Sequence, residues 1–173
     1  CVNGMFLNYA SYFNIDEEKL LPIVDSILNE IMPDGGFNCR TTRSGAKHSS
    51  LHTTLSVLEG FAAFQQAGYT YKRHDVYRAK QSAIEFILQH QLFLSSRTGQ
   101  RIDPKFLKFN YPCRWRYDIL RALDFFQYEN IKWDPRMQAA MDILLMKRNK
   151  EGTWNATAAH AGQVHVLMEQ AGQ

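Results

Sequence analysis

Apolar residues recur at helical spacing along most of this chain, and no segment sustains the period of two that marks a half-buried strand. Residues 2–13 place Val2, Met5, Phe6, Tyr9 and Phe13 on a first helix, expected to be largely buried. Asp16 stands where it would cap a second helix over 16–32, with Glu17 and Glu18 complementing the positive helix end. Leu20, Leu21, Ile23, Val24, Ile27, Leu28 and Ile31 give that helix a wide apolar face. Pro33 stops it, because proline disfavours helix in the residue before it, and Asp34-Gly35-Gly36 turns the chain. Ser49 or Ser50 opens a third helix ending near Gly68, with Leu51, Leu55, Leu58 and Ala62 in one stripe widened by Val57, Phe61 and Phe64.

A fourth helix over 73–94 carries Val76, Ala79, Ala83, Ile84, Ile87 and Leu88. Lys72, Arg78, Lys80 and Glu85 fall on its other side, so it reads as amphipathic and solvated there. The connection over 95–112 is longer than most in compact domains, which often marks a functional segment. A fifth helix is expected over 114–128. A sixth opens at Asp134-Pro135, where Asp caps and Pro suits the first helical position, and ends near Arg148. Glu151-Gly152-Thr153-Trp154 then echoes Asp34-Gly35-Gly36-Phe37, a third and weaker copy lies between them, and another helical start is read at 162–169. Helix, helix and glycine-rich aromatic turn thus repeat about every 58–60 residues, a period within reach of helical arrays.

With 173 residues the chain is long enough to bury a substantial core as one domain over 1–173. A net charge of +3, with the basic residues scattered, does not mark a nucleic-acid binder. Cys1, Cys39 and Cys113 have no paired spacing, so free thiols in a reducing, cytoplasmic setting are expected. No apolar run approaches the roughly 18 residues of a membrane span.

The turns at 34–37 and 151–154, with the segments 52–64, 111–126 and 162–172, resemble the squalene-cyclase and protein-prenyltransferase β-subunit superfamily, above all its bacterial members of unassigned function. The resemblance implies an all-α fold, an α/α toroid of alternating inner and outer helices. About three helical hairpins would be present here, a partial ring cut from a larger one. It also implies a concave aromatic face for an apolar, isoprenoid ligand or a protein partner. Exposed apolar edges would favour a homodimer or pairing with the rest of the parent chain.

The superfamily's cyclases use Asp-x-Asp-Asp to protonate an alkene, and Asp-Asp-x-x-Asp to hold diphosphate and magnesium; neither run occurs here, and no catalytic residue is assigned. Asp16-Glu17-Glu18 reads as a solvated helix start. Prenyltransferase β subunits bind zinc through Asp, Cys and His, and the resemblance offers Cys113 with His165, or His160, in those places. Tyr111 occupies the position of the family's Asp, and Asp118 is an imperfect substitute. The other expectation is that no cofactor is held and that Cys113 is a half-buried small hydrophobe.

On the fifth helix Arg114, Asp118 and Arg121 fall at i, i+4 and i+7, with Arg116 nearby. The arginines could grip a diphosphate, or Asp118 could neutralise them in a structural network. Trp115 would line the face. His52, Ser56 and Glu59 form a polar stripe on the third helix, a second ligand-binding candidate in which His52 could act as acid or base. Two functions follow: a non-catalytic binding domain, or a segment of a prenyltransferase- or terpene-cyclase-type enzyme.

Overall fold

The computed structural model describes residues 1–155, 157 and 160, the side chains at 42 and 43 excepted. The chain divides into two compact units, Cys1–Ile87 and Leu88–Gln173. Its described residues are helical, with backbone pairing confined to isolated bridges at turns and one loop.

In the first unit α1 (Val2–Tyr12) packs along α4 (Leu51–Gln66), and α2 (Glu17–Leu28) lies against α1. The α1–α4 contact is set by small residues. A Cβ on Gly60 would sit 2.5 Å from the carbonyl oxygen of Gly4. Leu7, Ala10 and Ser11 complete the packed face of α1. Val2, Phe6, Tyr9, Tyr12 and Phe13 are exposed, so α1 is not the largely buried helix its apolar content suggests. Only the stripe of Gly4, Leu7, Ala10 and Ser11 is covered. α4 is buried along nearly all its length.

α2 buries Leu20, Val24 and Ile27, and it ends four residues before Met32 because Ile31 pairs with Phe37 instead. Asp16 stands at its N-cap position without capping, its carboxylate paired with Lys19 at 2.8 Å. Glu17 reaches further, accepting from the Thr70 and Tyr71 N–H groups at 2.6 and 2.7 Å. Tyr71 and Lys72 bind Asp25 of the same helix, so the loop into α5 (Arg73–Gln89) is stitched to α2. Ser50 precedes α4 without a side-chain cap. Ser49 is held instead by Asp34, whose carboxylate accepts from its N–H at 2.8 Å and its hydroxyl at 2.5 Å. A single turn, α3 (Thr41–Ser44), lies between.

Lys80, read from the pattern as solvated, is 6 % exposed and donates to Gln65 Oε1 at 2.7 Å. α5 stops at Gln89 because Gln91 and Leu92 adopt left-handed backbone, which carries Leu92 into full burial. In the second unit a 3-10 turn at Pro104–Leu107 is capped by Asp103, and α6 (Ile119–Tyr128) by Asp118. Asp134 caps a second 3-10 turn, Pro135–Met137, which leads into α7 (Gln138–Met146).

The repeated turns are alike in their hydrogen bonds. After α2 the Met32 N–H donates to Gly36 O and the Gly35 N–H to Met32 O, both at 2.9 Å. After α7 the Asn149 N–H donates to Thr153 O at 2.7 Å and the Gly152 N–H to Asn149 O at 2.9 Å. Gly35 and Gly152 have φ of 89° and 84°, a conformation glycine adopts without steric cost. The copy after α5 is one residue longer, with Ser95 N–H donating to Gln100 O and Gly99 N–H to Ser95 O, both at 2.8 Å.

Candidate functional site

The candidate site is built on the segment that leads into α6. Asp118 has extended backbone and accepts from the Arg121 N–H at 2.9 Å, so the helix begins at Ile119 rather than at 114. Arg114 has φ of 54°, outside any helix. Arg114, Asp118 and Arg121 therefore do not share a helical face. A non-glycine residue in this conformation costs on the order of 1–3 kcal/mol and persists where its surroundings hold it. Two contacts hold it here. The Tyr117 hydroxyl donates to Leu92 O at 2.5 Å while its ring meets Phe106 edge-on at 5.0 Å. Arg121 Nη1 donates to Arg116 O at 2.7 Å, tying the segment to its own helix.

The other wall is a longer-range pairing. The Thr157 N–H donates to Phe109 O at 3.1 Å, and Asn110 bridges to Thr157. Lys147 lies over the Phe109 ring at 4.9 Å and donates to Leu107 O. This pairing brings His160 beside the 114–116 segment. Burial lowers the His160 pKa first, and the charges of Arg116 and Arg114 lower it further. Trp115 is 42 % exposed, with the Arg116 guanidinium stacked over its ring at 4.9 Å. Arg116 and Trp115 thus form a basic, aromatic pair, and the charges of Arg116 and Arg114 reach His160. In the sequence Arg116 is only a neighbour of Arg114 and Asp118, since nothing local pairs it with residue 160.

The zinc reading leans on Cys113 and a histidine. The Cys113 thiol is half-buried and donates to Arg114 O at 3.8 Å. Asp118 is committed to the helix end, and His160 lies beside two guanidiniums that would repel a divalent ion. Among the described residues no three His, Cys, Asp or Glu side chains gather as a metal-holding group. His165 and the helical start at 162–169 lie outside the described residues. In the first unit, His52 and Glu59 are half-buried on α4. Ser56 between them is buried, and its hydroxyl bonds back to His52 O at 3.0 Å. Asn8 of α1 donates to Glu59 O at 3.1 Å, so the stripe runs along the contact with α1.

Asp118 is the most perturbed carboxyl of the segment. Burial raises its pKa from 3.8 to about 6, against the pull of the Arg121 N–H and charge. A folded pKa above the unfolded one gives stability that is full below pH 3.8 and is lost as pH rises through about 6. Asn caps helices as well as Asp does and carries no charge. Asp118→Asn should therefore raise stability at pH 7 by on the order of 3 kcal/mol and flatten the pH 4–6 dependence of the unfolding midpoint. Urea titrations at pH 4 and pH 7 check this. A large loss at pH 7 would mean that the carboxylate's charge is needed.

Comparisons with protein families, with curated proteins and with solved structures find no match to this chain.

Proposed function

We propose that this chain is a helical-repeat domain of the α/α-toroid kind that binds a ligand with an anionic head and an apolar body. An isoprenoid diphosphate is the class that suits it best. The observation that carries this reading is the Arg116 guanidinium stacked at 4.9 Å over the exposed Trp115, with the charges of Arg116 and Arg114 felt at His160. Basic groups brought this close disfavour one another's charge, and an anion between them removes that penalty. Guanidiniums bind phosphate oxygens bidentately, and the indole offers a flat apolar surface with little entropy to lose. The toroid part rests on the matched turns and on α1 lying beside α4, as inner helices of such an array would. With no acidic run to protonate an alkene, binding without cyclase chemistry is the simpler reading.

The enzyme alternative draws on Asp118, a buried carboxyl poised near neutral pH. It would carry zinc on Cys113 with His165 or His160. About one zinc per purified chain, lost in Cys113→Ala, would favour that alternative.

Calorimetric titration with inorganic pyrophosphate and with farnesyl diphosphate tests the binding reading. Farnesyl diphosphate should bind more tightly than pyrophosphate. Replacing both Arg114 and Arg116 by alanine should weaken both ligands about 100–10,000-fold, since hydrogen bonds to charged groups contribute about 1.5–3 kcal/mol each and both are lost. Unchanged affinity in that variant would sink it.

A further inference from the structure

A groove of about 530 Å³ opens in the first unit between the end of α4 and the start of α5, with the 68–70 loop as its third wall. Small-ligand pockets are usually roughly 300–1,000 Å³, so it is large enough for one. Gln65, Tyr69, Arg73, His74 and Tyr77 line it, and among the described residues no carboxylate does.

The packing of the two helices fixes what these groups offer. Arg73, Tyr77 and Lys80 fall at i, i+4 and i+7 on α5, one stripe directed at the end of α4. Lys80 is buried, and its ammonium donates to Gln65 Oε1 at 2.7 Å. An ammonium can only donate, so the Gln65 amide turns its oxygen to Lys80 and keeps its NH2 group for the groove. Arg73 and His74 add a guanidinium and an imidazole N–H, and neither side chain has a partner among the described residues. The carboxylates nearby are engaged elsewhere. Asp75 holds Arg78, and Glu17 accepts from the Thr70 and Tyr71 N–H groups.

The aromatic part is set in the same way. The Tyr69 hydroxyl donates to Ile15 O at 2.5 Å, and its ring lies 4.9 Å from that of Phe64. Together with the Glu17 bonds, this holds the loop wall in place and limits the ordering cost of binding. Tyr77 is 56 % exposed and stands one turn along α5 from Arg73.

We propose that this groove binds a small aryl phosphate, with Gln65, Arg73 and His74 holding the phosphate and Tyr77 meeting the ring. Three donor groups from two helices suit the three oxygens of a phosphate monoester better than the two of a carboxylate, and a guanidinium can meet two of them at once. The Tyr77 ring gives the aryl group an offset or edge-on partner. No residue of the second unit takes part, so the site does not depend on the isoprenoid diphosphate reading.

The test is two-dimensional NMR of the labelled chain titrated separately with phenyl phosphate, inorganic phosphate and benzoate. Phenyl phosphate should shift the signals of Gln65, Arg73, His74 and Tyr77 and bind more tightly than either comparison anion. Arg73→Ala should weaken it about 10–100-fold. Tyr77→Ala should bring phenyl phosphate down to the affinity of inorganic phosphate and leave inorganic phosphate unchanged. Both side chains are exposed, and the shifts of the unaltered chain decide the matter even if a variant fails to fold. Shifts confined to residues 114–116, no shifts at millimolar ligand, or a comparison anion binding as tightly as phenyl phosphate overturns the proposal. So does affinity for phenyl phosphate that neither variant changes.

Discussion

Replacing Phe37 by alanine is expected to cost about 4 kcal/mol of unfolding free energy, whereas Trp154→Ala should cost about 1 kcal/mol. The two residues occupy the same place in matching turns, so the contrast isolates packing from turn chemistry. Phe37 is 1 % exposed and meets Phe61 edge-on at 6.4 Å. Its N–H donates to the Thr54 hydroxyl at 3.0 Å, and its carbonyl accepts from the Ser50 N–H at 2.8 Å. Truncation leaves a cavity where these bonds hold the backbone in place, so the site collapses little. Trp154 is 36 % exposed; it donates to Leu144 O at 2.7 Å and lies 5.7 Å from the Arg148 guanidinium. Urea unfolding of both variants checks the ratio, and equal costs would mean that the first turn is not anchored by its aromatic residue.

The second large effect is expected at the α1–α4 contact. On an isolated helix Gly→Ala gains about 1 kcal/mol of propensity. Here the added methyl of Gly4→Ala would stand 2.4 Å from Ser56 O, and that of Gly60→Ala 2.5 Å from Gly4 O. Both obstacles are backbone, which cannot rotate away, so the overpacking cost lies at or above the upper end of about 1–3 kcal/mol. The clash wins, and each variant should lose about 2 kcal/mol net. Together they should cost less than the sum, since one displacement of α1 relieves both. A stabilised Gly4→Ala chain would show that the helices are further apart than described.

Much of the helical layout was legible because apolar spacing and glycine punctuation act locally. Asp34-Gly35-Gly36 and Glu151-Gly152-Thr153 announce their turns through the one residue type that accepts φ near 85° without strain. What the sequence concealed was decided at a distance. The helical pattern over 114–128 contains no breaker, yet Arg114 to Tyr117 are pulled out of it by the Tyr117 bond to Leu92 and the Asp118 cap. Lys80 sits on the polar side of its helix by pattern, but Gln65 across the contact gives its ammonium a buried partner. The candidate site was half readable. Arg114 and Trp115 stood out as a basic residue beside an aromatic one, while the role of Arg116 depends on Thr157 pairing with the 109–110 backbone to bring His160 alongside.

The most direct test of the binding reading is where a ligand lands. Two-dimensional NMR of the labelled chain, titrated with farnesyl diphosphate, should shift the signals of Arg114, Trp115, Arg116 and His160, with the His160 imidazole becoming more basic as the anion offsets the nearby guanidiniums. Shifts confined to His52 and Glu59 on α4, or no shifts at saturating ligand, would contradict it.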